Sequence, residues 1–282
     1  MNSLHLTLGN ISFVLLSGCI LLNAIVGASF IFRKSKTKRA DYFFAAFQFA
    51  FGLTTLHHLF ILKGIYSSHP GLLFVPVYFT LSLGALLFFS VKFWLFPNYR
   101  FVGTDAKHFV FPVGQFLYFL LIFLFTDVAF RHGLGRKFYS PFYGGLEMAL
   151  YIASFYGYQF GAYRYIRYKL PTFQNQDDSR QLHETLYLRK LLRVMVILFW
   201  VNSAYIVTDF VMYELLRLNM HNLRGFTRFG ELSFAAMAGW AGWIGWKLLT
   251  KQAYTSQSGQ AFSLLKKILE ETKGRRKKRM EN

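Results

Sequence analysis

Cysteine is nearly missing from this chain, and so is every spacing that would mark a catalytic or metal-binding motif. One cysteine in 282 residues permits no intrachain disulfide, and Cys19 sits inside an apolar run, where it reads as a small packing group. No HxxxH or ExxH pair supplies a zinc-like ligand set. The adjacent His57 and His58 point about 100° apart on a helix, so they enter one site poorly. No nucleophile motif, internal repeat or low-complexity segment is present. The nine residues after Met1 carry no Asp, Glu, Lys or Arg, so the basic start of a cleavable signal peptide is absent and the first apolar run is expected to be retained.

Apolar length is what the chain has in abundance. Its hydrophobic fraction is 54%, concentrated in seven runs at 11–32, 42–66, 72–96, 109–130, 143–163, 194–217 and 229–249. A hydrocarbon core needs about 20 helical residues to cross. The runs lack the period-2 alternation of a membrane barrel, and lipid offers no partner to an open backbone, so each is expected to be a helix. The fold class that follows is all-α: a polytopic membrane protein of seven transmembrane helices spanning 1–250, followed by a basic tail over 251–282.

Charge orients this bundle. With the N-terminus outside, the inner segments hold five Lys and Arg at 33–39, three at 92–107, seven at 164–193 and ten from Lys247 onward, which is 25 of the 32. The positive-inside rule therefore selects N-out, C-in. The net charge of +19 belongs to a membrane face, where anionic lipid attracts each base by about 1 kcal/mol, and nucleic acid is not needed to explain it. Between the fifth and sixth runs, Tyr163, Arg164, Tyr165, Arg167, Tyr168 and Lys169 form an interfacial stretch that is expected to break at Pro171. In the tail, Phe262, Leu265, Ile268 and Leu269 recur at helical spacing, which predicts a short amphipathic helix over 260–272 lying on anionic lipid.

Carboxylates inside a bilayer are costly and draw attention to themselves. Asp127, Glu147, Asp209, Glu214 and Glu231 all fall toward the outer side, as do His57 and His58. Asn202, Tyr205, Asp209 and Tyr213 stand at i, i+3, i+7 and i+11, a continuous polar stripe on one helix face. If that stripe faces inward, Asp209 becomes the innermost member of an outward-opening ligand pocket with Tyr205, Asn202, Glu147, Glu231 and one of His57 and His58. The plainer alternative is that the acids near helix ends reach water, pair with Arg131, Arg217 or Arg228, or suit a helix dipole. In the last run, Gly239, Gly242 and Gly245 alternate with Trp240, Trp243 and Trp246, a pattern for close helix packing and interfacial anchoring. Its one lysine, Lys247, is at the inner end, which excludes a mid-helix Schiff base.

Residues 64–96, GIYSSHPGLLFVPVYFTLSLGALLFFSVKFWLF, followed by His108, Phe109 and Pro112, resemble the seven-helix membrane domain of bacterial membrane-anchored AraC-type transcriptional regulators. The family's Gly-Pro-Leu-Leu reads Gly84, Ala85, Leu86, Leu87 here, without its proline. The resemblance implies a sensor in the bacterial cytoplasmic (inner) membrane. Such regulators end in a DNA-binding domain with two helix-turn-helix units, whereas about 30 residues follow the last apolar run, too few for one such unit, so direct nucleic-acid binding is not expected. A stand-alone module, a shortened relative and a truncated product all fit.

The function expected is a membrane sensory or ligand-binding module that detects an extracytoplasmic ligand and signals to a separate cytoplasmic partner, with no cofactor. The alternatives are an integral-membrane enzyme acting on a lipid, disfavoured by the missing nucleophile and ligand spacings, and a small transporter or scaffold subunit, disfavoured by the lack of an inverted repeat.

Overall fold

A computed structural model describes residues 2–35, 37–133, 144–175, 179–220, 223 and 225–250, so the tail expected to form an amphipathic helix lies outside the described residues. Among the described residues the chain is all-helical and has no strand. It runs through α1 (Asn2–Phe32), α2 (Lys38–Leu62), the short α3 (Ile65–Ser68), α4 (Thr80–Leu95), α5 (Val110–Phe125), the short α6 (Val128–Gly133), α7 (Gly144–Asn175) and α8 (Ser179–Phe210). The helix at residues 225–244, α9, closes the first compact unit of the chain. Residues 245–250, the described part of the second unit, are helical as well.

Four stretches among the described residues, not seven, are long and apolar enough to cross a membrane: Gly9–Phe32, Lys38–Leu62, Gly103–Phe125 and Glu184–Leu215. They accord with a membrane-associated chain. The other three expected spans are helical but fall short for separate reasons. α4 has 16 residues, about 24 Å at 1.5 Å per residue, against a core of about 30 Å. α7 is diluted by tyrosine and by Arg164, Arg167 and Lys169, and the last helix by glycine and tryptophan.

α4 starts eight residues later than its apolar run because Pro76 interrupts the ladder within it. Residues 73–79 are not helical, and Phe74 is buried at a φ of 66°, a left-handed conformation that costs a bulky residue about 1–2 kcal/mol. Other elements hold this segment in place. Arg131 Nη1 donates to the carbonyls of Gly71 and Leu73, both at 3.0 Å, and its guanidinium lies over the Phe123 ring. Thr54 Oγ1 accepts the N–H of Phe79 at 3.0 Å, and Gln115 Oε1 accepts that of Leu81 at 3.2 Å. Arg131 is therefore a buried clamp and not an outer salt-bridge partner.

Two other boundaries moved. The run at 109–130 divides at Thr126 and Asp127, where Asp127 Oδ1 accepts the N–H of Phe130 at 2.6 Å and caps α6. α7 continues one turn past Pro171, its final turn anchored by buried Phe173, so the expected break does not occur there.

Packing is aromatic and amide-stitched. α4 lies against α2 and α7, and α1 against α2. Phe30 meets Phe44 edge-on at 4.8 Å, and Phe47 meets Phe51 at 4.9 Å. Across the α1–α9 seam, a Cβ on Gly242 would sit 2.8 Å from the Leu22 side chain, and one on Gly239 would sit 3.3 Å from Cys19 Sγ. Beside these glycines Asn23 Nδ2 donates to Ala238 O at 3.0 Å, and Gln48 Nε2 donates to Ala241 O at 3.0 Å. Such interhelical amide bonds are worth about 0.6–2 kcal/mol each in a membrane.

Candidate ligand cavity between α2, α7, α8 and α9

The stripe on α8 faces inward. Asn202, Tyr205 and Asp209 line an internal cavity of about 100 Å³, joined by His58 from α2, Tyr151 from α7 and Glu231 from α9. Tyr78 and Thr80, where the non-helical segment enters α4, complete the wall. Helical spacing explains the shared face of the three α8 residues. Gly230 explains how α9 comes so near: a Cβ there would lie 2.2 Å from Tyr205 Cζ, a distance no side chain survives.

The cavity lining is mostly apolar and aromatic, interrupted by a few polar groups. Asp209 and Glu231 are each 4% exposed. Glu231 is paired with Arg228, whose Nη1 donates to Oε2 at 2.7 Å. Asn202 Nδ2 donates to Ser233 Oγ at 2.9 Å, and Ser233 Oγ in turn donates to Gly230 O at 2.9 Å. The amide orientation follows from that order: the serine proton is already used on Gly230, so Asn202 must present its NH₂ to Ser233 and leave Oδ1 as an acceptor. Among the described residues Asn202 Oδ1 has no hydrogen-bond partner, and neither does the Tyr151 hydroxyl. Tyr205 packs on Phe226 at 4.8 Å, and His58 packs on Phe234 at 4.9 Å, which fixes both rings at the wall.

Of the seven candidate residues, five line the cavity; of the His pair only His58 does, and Glu147 lies elsewhere. His57 turns away from His58, as adjacent helix positions must, and its Nδ1 lies 2.8 Å from Tyr66 Oη in a core cluster with Leu73, Phe74, Tyr78 and Phe119. Glu147 stands behind the wall: its Oε1 accepts from Gln115 Nε2 at 3.1 Å, and the same nitrogen lies 3.2 Å from the cavity residue Thr80. Glu147 therefore faces a second, larger cleft of about 680 Å³ between α5 and α7, lined by apolar groups such as Val110, Phe111, Leu146 and Leu150.

Tyr78, Thr80 and Tyr151 are cavity-lining residues that sequence reasoning missed. Tyr151 follows Glu147 by one helical turn, the only signal that could have found it. Two acids also escaped notice: Asp41, bridged to Arg33, and Asp105, which accepts from Tyr99 Oη at 2.8 Å and lies 3.3 Å from Lys92 Nζ. Both serve structure. Tyr99 also offers its face to Lys92 Nζ at 3.7 Å and its carbonyl to Arg39 at 3.0 Å. Among the described residues no three His, Cys, Asp or Glu side chains gather as a metal site. The chain matches no protein-family model, no curated protein and no solved structure.

Proposed function

We propose that this chain is a polytopic membrane module that binds a small extracytoplasmic ligand in the cavity between α2, α7, α8 and α9 and relays its occupancy to the cytoplasmic side. The observation that carries this reading is the cavity itself. An apolar bundle has a strong energetic reason to exclude polar groups, yet it gathers two carboxylates, an amide, a histidine and tyrosine hydroxyls around one space. Two buried polar atoms on that wall, Asn202 Oδ1 and Tyr151 Oη, lack a protein partner among the described residues.

In this reading the chain crosses seven times, N-out and C-in, with α4, α7 and the last helix completing the four longer spans. The 25-to-7 division of base supports the orientation. The resemblance of residues 64–96 to the membrane domain of AraC-type regulators supports a bacterial inner-membrane sensor with a separate cytoplasmic partner, and the basic tail suits anionic lipid. A lipid-directed enzyme is the second reading, favoured by the apolar cleft that ends on Glu147.

The test is a thermal-shift panel of cationic, neutral and anionic small polar compounds on the full chain in lipid nanodiscs. At least one compound should raise the melting midpoint saturably in the wild type and not in Asn202→Leu, which keeps the side-chain volume and removes the acceptor. A panel in which nothing shifts the wild type would end the cavity's candidacy as a binding site.

A further inference from the structure

We infer that the basic pocket where the α1–α2 turn meets the α4–α5 connection holds the phosphate of an anionic phospholipid headgroup. This site is separate from the cavity above and does not depend on it.

Position is the first argument. Lys38, Arg39 and Arg100, with Thr37, Pro97 and Asn98, line a pocket of about 510 Å³, within the range of about 300–1,000 Å³ usual for small-ligand sites. Arg39 Nη1 donates to Tyr99 O at 3.0 Å, so the two connections stand together at one end of the bundle. Three of the four membrane-length stretches meet that end: Gly9–Phe32 finishes there, and Lys38–Leu62 and Gly103–Phe125 begin there. Such a place lies at the level of headgroups and not of hydrocarbon.

Charge is the second argument. The lining holds three bases and no carboxylate. The acids nearest to it in sequence already have bases of their own: Asp41 is bridged to Arg33, and Asp105 lies 3.3 Å from Lys92 Nζ. No carboxylate on the wall balances Lys38, Arg39 and Arg100, and the pocket attracts an anion.

Donor accounting narrows the anion. Lys38 Nζ donates to the carbonyls of Ile31 and Arg33, and Arg39 gives one N–H to Tyr99, bonds that hold both side chains and leave each with at least one donor. Exposed Arg100 donates to nothing among the described residues. Charged donors fixed by backbone suit the acceptor oxygens of a phosphate. The flanks then favour a lipid over a free phosphate. Phe32, between the two carbonyls that hold Lys38, is 84% exposed, Tyr42 lies under Lys38 Nζ at 5.0 Å, and Phe101 follows Arg100; all three rings are exposed and suit the membrane interface.

The experiment titrates the full chain in neutral detergent with phosphatidylglycerol, phosphatidylcholine and glycerol phosphate, reading bound lipid by native mass spectrometry and the melting midpoint by thermal shift. Phosphatidylglycerol should bind saturably and raise the midpoint, with the other two inert. Arg39→Gln combined with Arg100→Gln should weaken that binding about tenfold. Arg164→Gln combined with Arg167→Gln, which removes the same charge from exposed positions on α7, should leave it within about twofold. If the two pairs weaken binding equally, the lipid reads overall charge and the pocket assignment falls. Glycerol phosphate or phosphatidylcholine binding as tightly as phosphatidylglycerol would equally overturn the anionic-lipid assignment. If the Arg39 change unfolds the chain, Arg100→Gln alone decides, because its side chain bonds nothing among the described residues. The unliganded midpoint should then hold while affinity drops several-fold, and unchanged affinity would overturn the site.

Discussion

At Gly230 the α9 backbone lies so close to the Tyr205 ring that a single methyl group would evict it. Gly230→Ala should therefore cost about 1–3 kcal/mol by overpacking and close the cavity to any compound that stabilises the wild type. Gly157→Ala, where a Cβ meets nothing within 4 Å, should be neutral or stabilising by about 0.5–1 kcal/mol. Unfolding midpoints and titrations on the two variants check the contrast. Single residues were legible in the sequence where they recurred. Asn202, Tyr205 and Asp209 repeat at helical spacing, and that periodicity placed all three on one wall. Tyr151, Asn23 and Gln48 carry no periodic mark, and one polar residue among 17 tyrosines and 34 phenylalanines looks like interfacial or packing material. Glu147 misled for a related reason. Its depth was readable, but the rotation of α7 that aims it at Gln115 depends on packing partners that no local pattern encodes.

Elements were legible in their apolar cores and obscure at their ends. The stretch 72–96 looks continuous by hydrophobicity, yet residues 73–79 leave the helix because Pro76 breaks it and because distant side chains satisfy the freed backbone. The second condition is tertiary and has no signature within the run. Arg131 is the critical supplier, donating to two carbonyls of the segment that contributes Tyr78 to the cavity. Arg131→Met should leave those carbonyls unsatisfied and cost about 3 kcal/mol. Hydrogen exchange should quicken at 73–79 and at the start of α4 before it changes in α1 or α8, and uniform protection across the bundle would contradict the clamp.

At the scale of the whole molecule, an all-helical architecture with membrane-length helices among the described residues was readable from composition and run length, whereas the number of fully apolar spans among them was not. Hydrophobic runs do not distinguish a helix that faces lipid from one such as α4 that is walled in by α2 and α7. The proposed N-out, C-in orientation rests on the division of base, so a reporter fused after Asn282 should be active only in the cytoplasm, and activity of that fusion outside would overturn the proposed topology. The α1–α9 seam also bears on how the chain is made. Asn23 and Gln48 donate to carbonyls 215 and 193 residues further along, and α1 exposes several large apolar groups, including Leu21 and Ile25. During synthesis these two amides wait until α9 emerges, Asn23 meanwhile bonded to its own helix through Cys19 O at 2.7 Å. Emergence of α9 is thus itself a folding event: α9 latches onto α1 and α2, and a ribosome that stops before Ala238 releases helices whose Asn23 and Gln48 amides have no counterpart.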